Sequence, residues 1–280
     1  MSGKLYVVAT PIGNLSDFSP RAIDTLSLVD FIAAEDTRVG AKLLNKFGIK
    51  KPQVSYFEHN KRQKGQYIAS RILEGESCAI ITDAGTPAIS DPGTDLVDIC
   101  MASGIEVVSV PGPSAIITAL SISGIDCGRF CFEGFLSTSK KSRFEHLSET
   151  AKERRTMVFY EAPHKLVRTL EDMLEYYGDR PIALCRELTK LHEEVIRTTL
   201  SKALELYNGI SPKGEFVLII SGYTPTLEEA SDKGPSMDTM LREVSELMSG
   251  GQKLSSAVKS VSLKYGISKN SLYSEAQKLT

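Results

Sequence analysis

Short apolar, β-branched runs alternate with amphipathic stretches over residues 5–115. Each run ends in a polar or Gly/Pro-rich loop, and a pattern with helical spacing follows it. The runs predict strands at Leu5–Ala9, Phe31–Ala34, Val54–Phe57, Cys78–Thr82 and Glu106–Val110. The intervening stretches predict helices at Pro20–Val29, Val39–Phe47, Lys61–Leu73 and Thr94–Ser103. This alternation favours a parallel sheet covered by helices on both faces.

The pattern changes from residue 128 onward, where the strands are no longer separated by regular helices. Strands are predicted at Phe130–Phe135, Thr156–Tyr160, Ile182–Cys185, Val195–Leu200 and Glu215–Ser221. Helices are predicted at Arg143–Lys152, Lys165–Tyr177 and Lys202–Leu206. Because only one short helix separates the last two strands, this part of the chain predicts a second α/β layer with a mixed sheet.

The end of the chain is helical and basic. A polar stretch at residues 224–236 precedes three helical patterns, Met237–Met248, Lys253–Tyr265 and Ser268–Leu279, and Gly-containing turns separate them. Such an arrangement is typical of a helix-turn-helix-like unit. From Gly251 onward there are five lysines and one acid. We therefore expect α/β domains at residues 1–124 and 125–223, a linker at 224–236 and a helical unit at 237–280.

Composition narrows the class of protein. Hydrophobic residues make up 41% and charged residues 24%, which is typical of a globular chain and not of a disordered one. Since the net charge is −2, any contact with nucleic acid requires a local basic patch. Five cysteines without a C-x-x-C pair favour reduced thiols in the cytoplasm over a disulfide framework or a metal site. No uncharged apolar run approaches the length of a membrane span.

The chemically distinctive residues all follow predicted strands. They form the segments Thr10–Asn14, Glu35–Arg38, Glu58–Lys61, Asp83–Gly93 and Pro111–Ala115. Ligands of open parallel sheets bind at the carboxyl ends of the strands, so these five loops predict one continuous site. The alternative is that α/β connections are rich in Gly, Pro and Asp for reasons of turn geometry alone.

The usual nucleotide fingerprints are absent from the sequence. No two glycines are spaced i, i+2, so G-x-G-x-x-G does not occur, and there is no G-x-x-x-x-G-K-[ST]. This disfavours a dinucleotide-dependent dehydrogenase and a phosphate-cradling NTPase. The loops at Gly13, Gly85 and Gly112 instead allow the backbone to approach a ligand closely.

In combination and in order, these motifs resemble those of the tetrapyrrole methylase superfamily. More narrowly they resemble its ribosomal RNA branch, the 16S rRNA (cytidine-2′-O)-methyltransferases. The matching segments are Thr10–Asp17, Ala34–Arg38, Asp83–Pro87, Ile89–Gly93, Val110–Ala115, Val158–His164, Arg186–Lys190, Glu193–Glu194 and Lys213–Phe216. Ser137 and Lys165 depart from the pattern, where we expect Pro and Arg.

The resemblance implies a cofactor, a fold and a state of assembly. The cofactor is S-adenosyl-L-methionine, held in a cleft between two α/β domains of the tetrapyrrole methylase type, in a cytoplasmic homodimer. The residues that we expect to bind the cofactor are Pro11, Gly13, Asp83, Ala84, Gly85, Thr86, Ser114, Ala115, Leu188, Gly214 and Glu215. The expected acceptor is a ribose 2′-hydroxyl of 16S ribosomal RNA, within the small ribosomal subunit.

The sequence gives less information about the residues that act on the methyl acceptor. Asp36, Glu58 and His59 are candidates for the catalytic base, because His titrates near neutral pH and a carboxylate does so when its pKa is raised. The resemblance and the charge pattern suggest substrate contacts from Arg38, Asn60, Lys61, Glu161, His164, Arg186 and Lys190. Basic clusters near residues 61–64, 140–143 and in the helical tail are candidates for following an RNA backbone.

Two other functions are compatible with the same sequence. One is a methyltransferase of the same fold that acts on a tetrapyrrole or another small molecule, which would have no use for a basic helical tail. The other is a non-enzymatic protein that senses a ligand and binds DNA through its helix-turn-helix unit.

Overall fold

The computed structural model describes residues 3–225, 236–265, 267 and 269–277. The chain divides into two compact units, Met1–Tyr223 and Thr224–Thr280. Residues 226–235, which make up most of the predicted linker, lie outside the described residues. No helix in the described part is long and apolar enough to cross a membrane.

The first half of the larger unit contains a five-stranded parallel sheet. Its strands are β1 (Lys4–Val8), β2 (Phe31–Ala34), β3 (Gln53–Ser55), β4 (Cys78–Ile81) and β5 (Glu106–Val110), in the order β3-β2-β4-β1-β5. Its helices are α1 (Pro20–Leu28), α2 (Thr37–Lys46), α3 (Lys61–Leu73), α4 (Thr94–Ala102) and α5 (Ala115–Ser123). The parallel sheet expected from the alternation is confirmed.

Both faces of the sheet are buried at its strands β2 and β4, as their purely apolar sequences require. In β2, Phe31 and Ala33 face a core that includes residues of α3 and α4. Ile32 and Ala34 face the opposite core, which includes residues of α1 and α2. The alternation follows from the two-residue period of a strand.

Strand β3 is shorter than the sequence predicts, for a local reason. It ends at Ser55 and not at Phe57. The Asn60 side chain accepts from the Phe57 N–H at 2.8 Å and donates from Nδ2 to the Ser55 carbonyl at 3.1 Å. These two bonds satisfy backbone groups that would otherwise continue the ladder, so the chain turns after β3.

The second half contains a mixed sheet, as expected. Its strands are β6 (Phe130–Phe135), β7 (Thr156–Glu161), β8 (Pro181–Arg186), β9 (Glu194–Thr199) and β10 (Phe216–Ile220), in the order β6-β7-β10-β8-β9. Only the β6–β7 pair is parallel. Helices α6 (Lys140–Thr150), α7 (Leu166–Tyr177) and α8 (Leu200–Leu206) pack on one face.

Helix α5 covers the other face of this second sheet. Ile116, Ala119 and Leu120 of α5 share a core with Val158 of β7 and Cys185 of β8. The chain therefore leaves the first sheet after β5 and lays α5 against the second. The loop that starts α5 is thereby placed between the two sheets.

The smaller unit consists of three helices, α9 (Met237–Ser249), α10 (Leu254–Tyr265) and α11 (Lys269–Gln277). They share an apolar core that includes Val244, Val258, Val261 and Leu272. The third helix was predicted over Ser268–Leu279, and Ser268 and residues 278–280 lie outside the described residues.

Candidate active site

The loops after β1 and β4 are joined by an isolated antiparallel bridge between Thr10 and Gly85. The Thr10 N–H donates to the Gly85 carbonyl at 2.8 Å, and the Gly85 N–H donates to the Thr10 carbonyl at 3.2 Å. Gly85 has a φ of 81°, a left-handed conformation that residues with a Cβ rarely adopt. The bridge fixes two loops at the carboxyl edge of the sheet.

The loop after β5 is held against the same two loops. The Thr86 hydroxyl donates to the Pro113 carbonyl at 3.1 Å. A Cβ at Gly112 would lie 3.0 Å from the Ala9 Cβ, so the β5 loop presses on the end of β1. Three loops thus converge as the strand order allows, since β4, β1 and β5 are neighbours in the sheet.

A cavity of about 400 Å³, here called the first cavity, opens where these loops meet the second sheet. Its volume lies within the usual range for small-molecule sites, roughly 300–1,000 Å³. The lining residues come from both sheets: Ile12, Ala84, Gly85, Thr86, Ile89, Ser90, Asp91, Ser114, Ala115, Phe135, Tyr160, Glu161, Ala162, Pro163, Leu188, Glu215, Phe216 and Val217.

The first cavity brings together seven of the eleven residues expected to bind the cofactor: Ala84, Gly85, Thr86, Ser114, Ala115, Leu188 and Glu215. Pro11, Gly13 and Asp83 line a second cavity of about 520 Å³, which also contacts Ala84 and Glu215. Gly214 lines neither cavity. Its φ is 90°, and a Cβ there would lie 2.6 Å from Glu187 Cγ, so its role is to let the chain pass Glu187.

Sequence reasoning missed the aromatic wall of the first cavity. Phe135 ends β6 and Tyr160 lies near the end of β7, with ring centroids 5.4 Å apart. Burial, with a smaller contribution from Asp91, raises the pKa of Tyr160 to about 12. The only signals in the sequence were their position at the ends of predicted strands and, for Tyr160, the matching segment Val158–His164, because the pairing of the two sheets is not visible in the pattern.

Backbone strain is concentrated in two loops beside the cavities. The non-glycine residues of the described chain with positive φ are Ala88, Ser90, Glu187 and Thr189, with φ between 51° and 70°. Ser90 lines the first cavity. Leu188, which lies between the strained residues Glu187 and Thr189, lines it as well. Such conformations cost roughly 1–3 kcal/mol each and cluster at functional sites.

The strained 187–190 loop also contacts the loop after β1. The Asn14 N–H donates to the Thr189 hydroxyl at 3.0 Å. A Cβ at Gly13 would lie 2.6 Å from Lys190 Cγ, so glycine is needed for this approach. Lys190 pairs with Glu187 at 2.9 Å and with Glu215 at 2.8 Å. The two halves of the unit are thereby joined beside the cavities.

Three carboxyl groups meet at the first sheet's carboxyl edge, and each has a raised pKa. Burial is the main cause for Glu35, Asp83 and Asp91. At Asp91, the nearby like charges of Glu35 and Asp83 add to the effect of burial and raise the pKa to about 6. Glu35 and Asp91 were not among the candidate residues from the sequence, although both belong to motifs identified there.

Asp36 and Arg38 form a fork-like ion pair. Arg38 Nη2 lies 2.6 Å from Asp36 Oδ2, and Arg38 Nε donates to Asp36 Oδ1 at 3.0 Å. The Asp36 carboxylate also caps α2, since it accepts the Arg38 N–H at 2.8 Å. These bonds lower the pKa of Asp36 to about 2. Asp36 is joined to the β4 loop, because its N–H donates to Asp83 Oδ1 at 3.2 Å.

The β3 loop lies at the edge of the sheet, and its candidate residues line neither cavity. Lys61 pairs with Glu58 at 2.8 Å and with Asp95 at 2.9 Å. Asn60 closes the turn after β3. His59 is exposed, stacks edge-on against Phe57 and makes no hydrogen bond or ion pair with the described residues. The expectation of one continuous lining from all five loops is therefore not met for this loop, nor for the β2 loop, since Glu35–Arg38 line neither cavity.

The remaining candidates lie on the second sheet's side. Glu161 lines the first cavity and is 3% exposed. It accepts from Thr169 Oγ1 at 2.6 Å and lies 3.3 Å from Lys165 Nζ. Arg186 pairs with Glu194 at 3.1 Å and, like the exposed His164, lines neither cavity.

The charges that line the first cavity fit S-adenosylmethionine. They are the carboxylates Asp91, Glu161 and Glu215, and none of the described lining residues is Lys, Arg or His. A site for phosphates would present cations, whereas a sulfonium cation is favoured next to carboxylates. Apolar walls and the close backbone at Gly85 complete a site of the kind that small ligands occupy.

Comparison with known sequences shows which protein family and which named proteins this chain is similar to. The family model for tetrapyrrole (corrin/porphyrin) methylases matches residues 4–204. Ribosomal RNA small subunit methyltransferase I of Synechocystis sp. is 45% identical, over 97% of this chain and 96% of the relative. The protein of the same name from Halalkalibacterium halodurans is 44% identical, over 97% of this chain and 93% of the relative.

Solved structures share the fold at low sequence identity. Uroporphyrin-III-C-methyltransferase from Thermus thermophilus has a TM-score of 0.57 and 20% identity, over 78% of this chain and 94% of that one. Diphthine synthase has a TM-score of 0.60 and 14% identity, over 82% of this chain and 94% of that one. The fold class expected from the sequence is confirmed.

The Asp36–Arg38 pair makes a testable prediction. Arg38→Ala removes the guanidinium that stabilises the Asp36 carboxylate, so the pKa of Asp36 rises from about 2 towards its ordinary value of about 3.9. NMR titration of the carboxyl carbons measures this change. Lys46→Ala removes an exposed cation from the same helix and leaves the Asp36 pKa in place. An unchanged Asp36 pKa in Arg38→Ala would contradict the assignment.

Proposed function

The chain belongs to the tetrapyrrole methylase family, and we propose that it transfers a methyl group from S-adenosylmethionine to the 2′-hydroxyl of a cytidine ribose in 16S ribosomal RNA. The observation that carries this proposal is the match, over nearly the whole chain, to relatives named ribosomal RNA small subunit methyltransferase I. The geometry of the two cavities supports it.

The first cavity is the proposed donor site. Backbone of the β1, β4 and β5 loops, with Leu188 and Glu215 from the second half, would hold S-adenosylmethionine there. When bound, this cofactor supplies an activated methyl group on a sulfonium. The protein's contribution is positioning, which in the best cases lowers a barrier by about 7–11 kcal/mol. The rigid Thr10–Gly85 bridge supplies the fixed frame that such positioning needs.

The second cavity is the proposed entry of the RNA. Lys42 and Lys46 of α2 line it, and neither makes an ion pair or hydrogen bond with the described residues. Both are exposed. Arg38, at the start of the same helix, is held by Asp36 with its side chain 86% exposed. Unpaired cations on one helix suit contacts to phosphates, which supply much of the affinity in RNA binding.

None of the three candidates for the catalytic base lines either cavity. Asp36, with a pKa of about 2, is too weak a base to take a proton efficiently near neutral pH. Glu58 is neutralised by Lys61 at 2.8 Å. His59 makes no hydrogen bond or ion pair with a described residue, but it lies at the edge of the sheet outside both cavities, so we assign the proton-accepting role to none of the three. Asp36 then acts by orienting Arg38.

The rival acceptor is a tetrapyrrole or another small molecule. The likeness to a uroporphyrin methyltransferase, at 20% identity, supports the fold and not the substrate. The relatives named for ribosomal RNA match almost the full chain, including the helical region after residue 224. Ribosomal RNA is therefore the favoured acceptor. The alternative of a ligand-sensing, DNA-binding protein is supported by nothing beyond the helical unit.

Three finer statements stay predictions. They are the assembled small subunit as the natural substrate, the homodimer, and the cytoplasmic location. The basic helical unit, with Lys253, Lys259, Lys264 and Lys269 in the described part, is proposed to add RNA affinity. Lys264 contributes less, because it pairs with Glu243.

The proposed reaction predicts methylation of small ribosomal subunits. Subunits from a strain that lacks this enzyme should accept label from tritiated S-adenosylmethionine, and mass spectrometry should place the methyl group on a cytidine ribose of 16S RNA. Subunits from the parent strain, which already carry the methyl group, are the control. No incorporation by a protein that binds the cofactor, or label on a base, would reject the proposed acceptor.

The donor site predicts an effect of a single side chain at Gly85. Gly85→Val must either strain the backbone at a φ of 81° or open the Thr10 bridge. The strain alone costs roughly 1–2 kcal/mol, so affinity for S-adenosylmethionine should fall by about five- to thirtyfold in calorimetry if the bound conformation bears this cost. Gly104→Val places the same side chain at a φ of 70°, in open space away from both cavities. Equal affinities of the two variants would reject this donor site.

If RNA enters at the second cavity, removing the two exposed lysines of α2 should weaken the salt dependence of RNA binding. Lys42→Ala with Lys46→Ala should weaken RNA binding and reduce the slope of log K against log salt by about one to two, while affinity for the cofactor is retained. Lys50→Ala with Lys51→Ala is the matched control, because these lysines line neither cavity. Filter binding at several salt concentrations measures the slopes, and equal slopes for the two double variants would contradict the assignment.

A further inference from the structure

Of the three carboxylates in the first cavity, two are already paired with a lysine. Glu161 lies 3.3 Å from Lys165 Nζ and accepts two further hydrogen bonds. Glu215 lies 2.8 Å from Lys190 Nζ. The third, Asp91, lines the cavity and makes no hydrogen bond or ion pair with the described residues. It is the one lining carboxylate whose charge is left for a ligand.

The loop that carries Asp91 is held in place by its backbone. Ala88 and Ser90 have φ values of 70° and 65°. A Cβ at Gly93 would lie 2.9 Å from the Ala88 nitrogen, so the loop closes tightly on itself around Asp91. Ser90 Oγ lies 3.9 Å from the position of a Cβ on Gly134, which places the loop next to β6 of the second sheet. These contacts hold Asp91 at the cavity.

The groups that face Asp91 are anionic or neutral. Glu35 follows β2, Asp83 follows β4, and the Tyr160 phenol comes from β7. Burial, then Glu35 and Asp83, raises the pKa of Asp91 to about 6. The ionised form thus lacks a compensating positive charge in the empty protein. A cation in the cavity would supply it.

The methyl donor and the product formed from it in the proposed reaction differ in the charge on sulfur. S-adenosylmethionine carries a sulfonium, and S-adenosylhomocysteine has a neutral thioether in its place. We propose that Asp91 is the residue by which the cavity distinguishes the cationic donor from the neutral product. This inference rests on the proposed function. It gives the product a lower affinity than the donor, so that the product leaves after transfer.

The test is calorimetry of both ligands with three proteins: wild type, Asp91→Asn and Asp98→Asn. The ratio of the product's Kd to the donor's Kd isolates the sulfonium charge, because both ligands share the nucleoside and amino-acid parts. Asp91→Asn should lower this ratio roughly tenfold, as expected for a charge pair at an intermediate effective dielectric. Asp98→Asn removes the same charge from the exposed face of α4 and should leave the ratio unchanged.

The pH dependence gives a second readout that needs no variant. A cation binds the ionised form of Asp91 better, so donor affinity is present above the pKa of the free protein and is lost as the pH falls through it. In wild type the ratio should therefore rise between about pH 5 and pH 7 and level off above the Asp91 pKa. In Asp91→Asn it should be flat. If the variant does not fold, a wild-type ratio that stays flat over this pH range still rejects the proposal.

The outcomes separate this inference from the proposed function. If wild type binds both ligands with a ratio that neither Asp91→Asn nor pH changes, the role of Asp91 is rejected and the donor site stands. If wild type binds neither ligand, the proposed function itself is rejected, and the inference with it.

Discussion

The site depends on one short contact, the pair of backbone hydrogen bonds between Thr10 and Gly85. Thr10 is fully buried, and its hydroxyl donates to the Thr82 carbonyl at 3.3 Å. Because β1 and β4 are neighbours in a parallel sheet, their loops leave the same edge, and the bridge holds them at a fixed separation. The Thr86–Pro113 bond then adds the β5 loop. Without the left-handed conformation of Gly85 this frame would not close.

The proposed site consists of two adjoining cavities. The first is lined by carboxylates, aromatic rings and backbone, whereas the second contains Lys42, Lys46 and Lys190 together with Asp83 and Glu215. They share Ile12, Ala84 and Glu215, so a ligand in one lies next to a ligand in the other. In the proposed arrangement, the methyl donor occupies the first cavity and the RNA approaches Lys42 and Lys46 of the second. The strained loops at residues 88–90 and 187–189 border this junction, where stored strain is most often found.

The order of elements could be predicted from the sequence because period-two and helical patterns are local. The strand order β3-β2-β4-β1-β5 could not, and it decides that the β4, β1 and β5 loops meet while the β3 loop stays at the edge. Glu58 and His59 therefore lie outside both cavities although their motif follows a strand like the others. Phe135, Tyr160 and Asp91 were missed as site residues because their function depends on how the second sheet faces the first. The shorter β3 also required a side-chain bond of Asn60, which no propensity anticipates.

The most direct test of this account is a crystal structure of the protein with S-adenosylhomocysteine bound. The account predicts that the ligand lies in the first cavity, against the backbone of residues 84–86 and the start of α5 at Ser114 and Ala115, with its sulfur facing the side of Asp91. A ligand bound at the opposite edge of the first sheet, or without contact to Gly85 and Ser114, would contradict it.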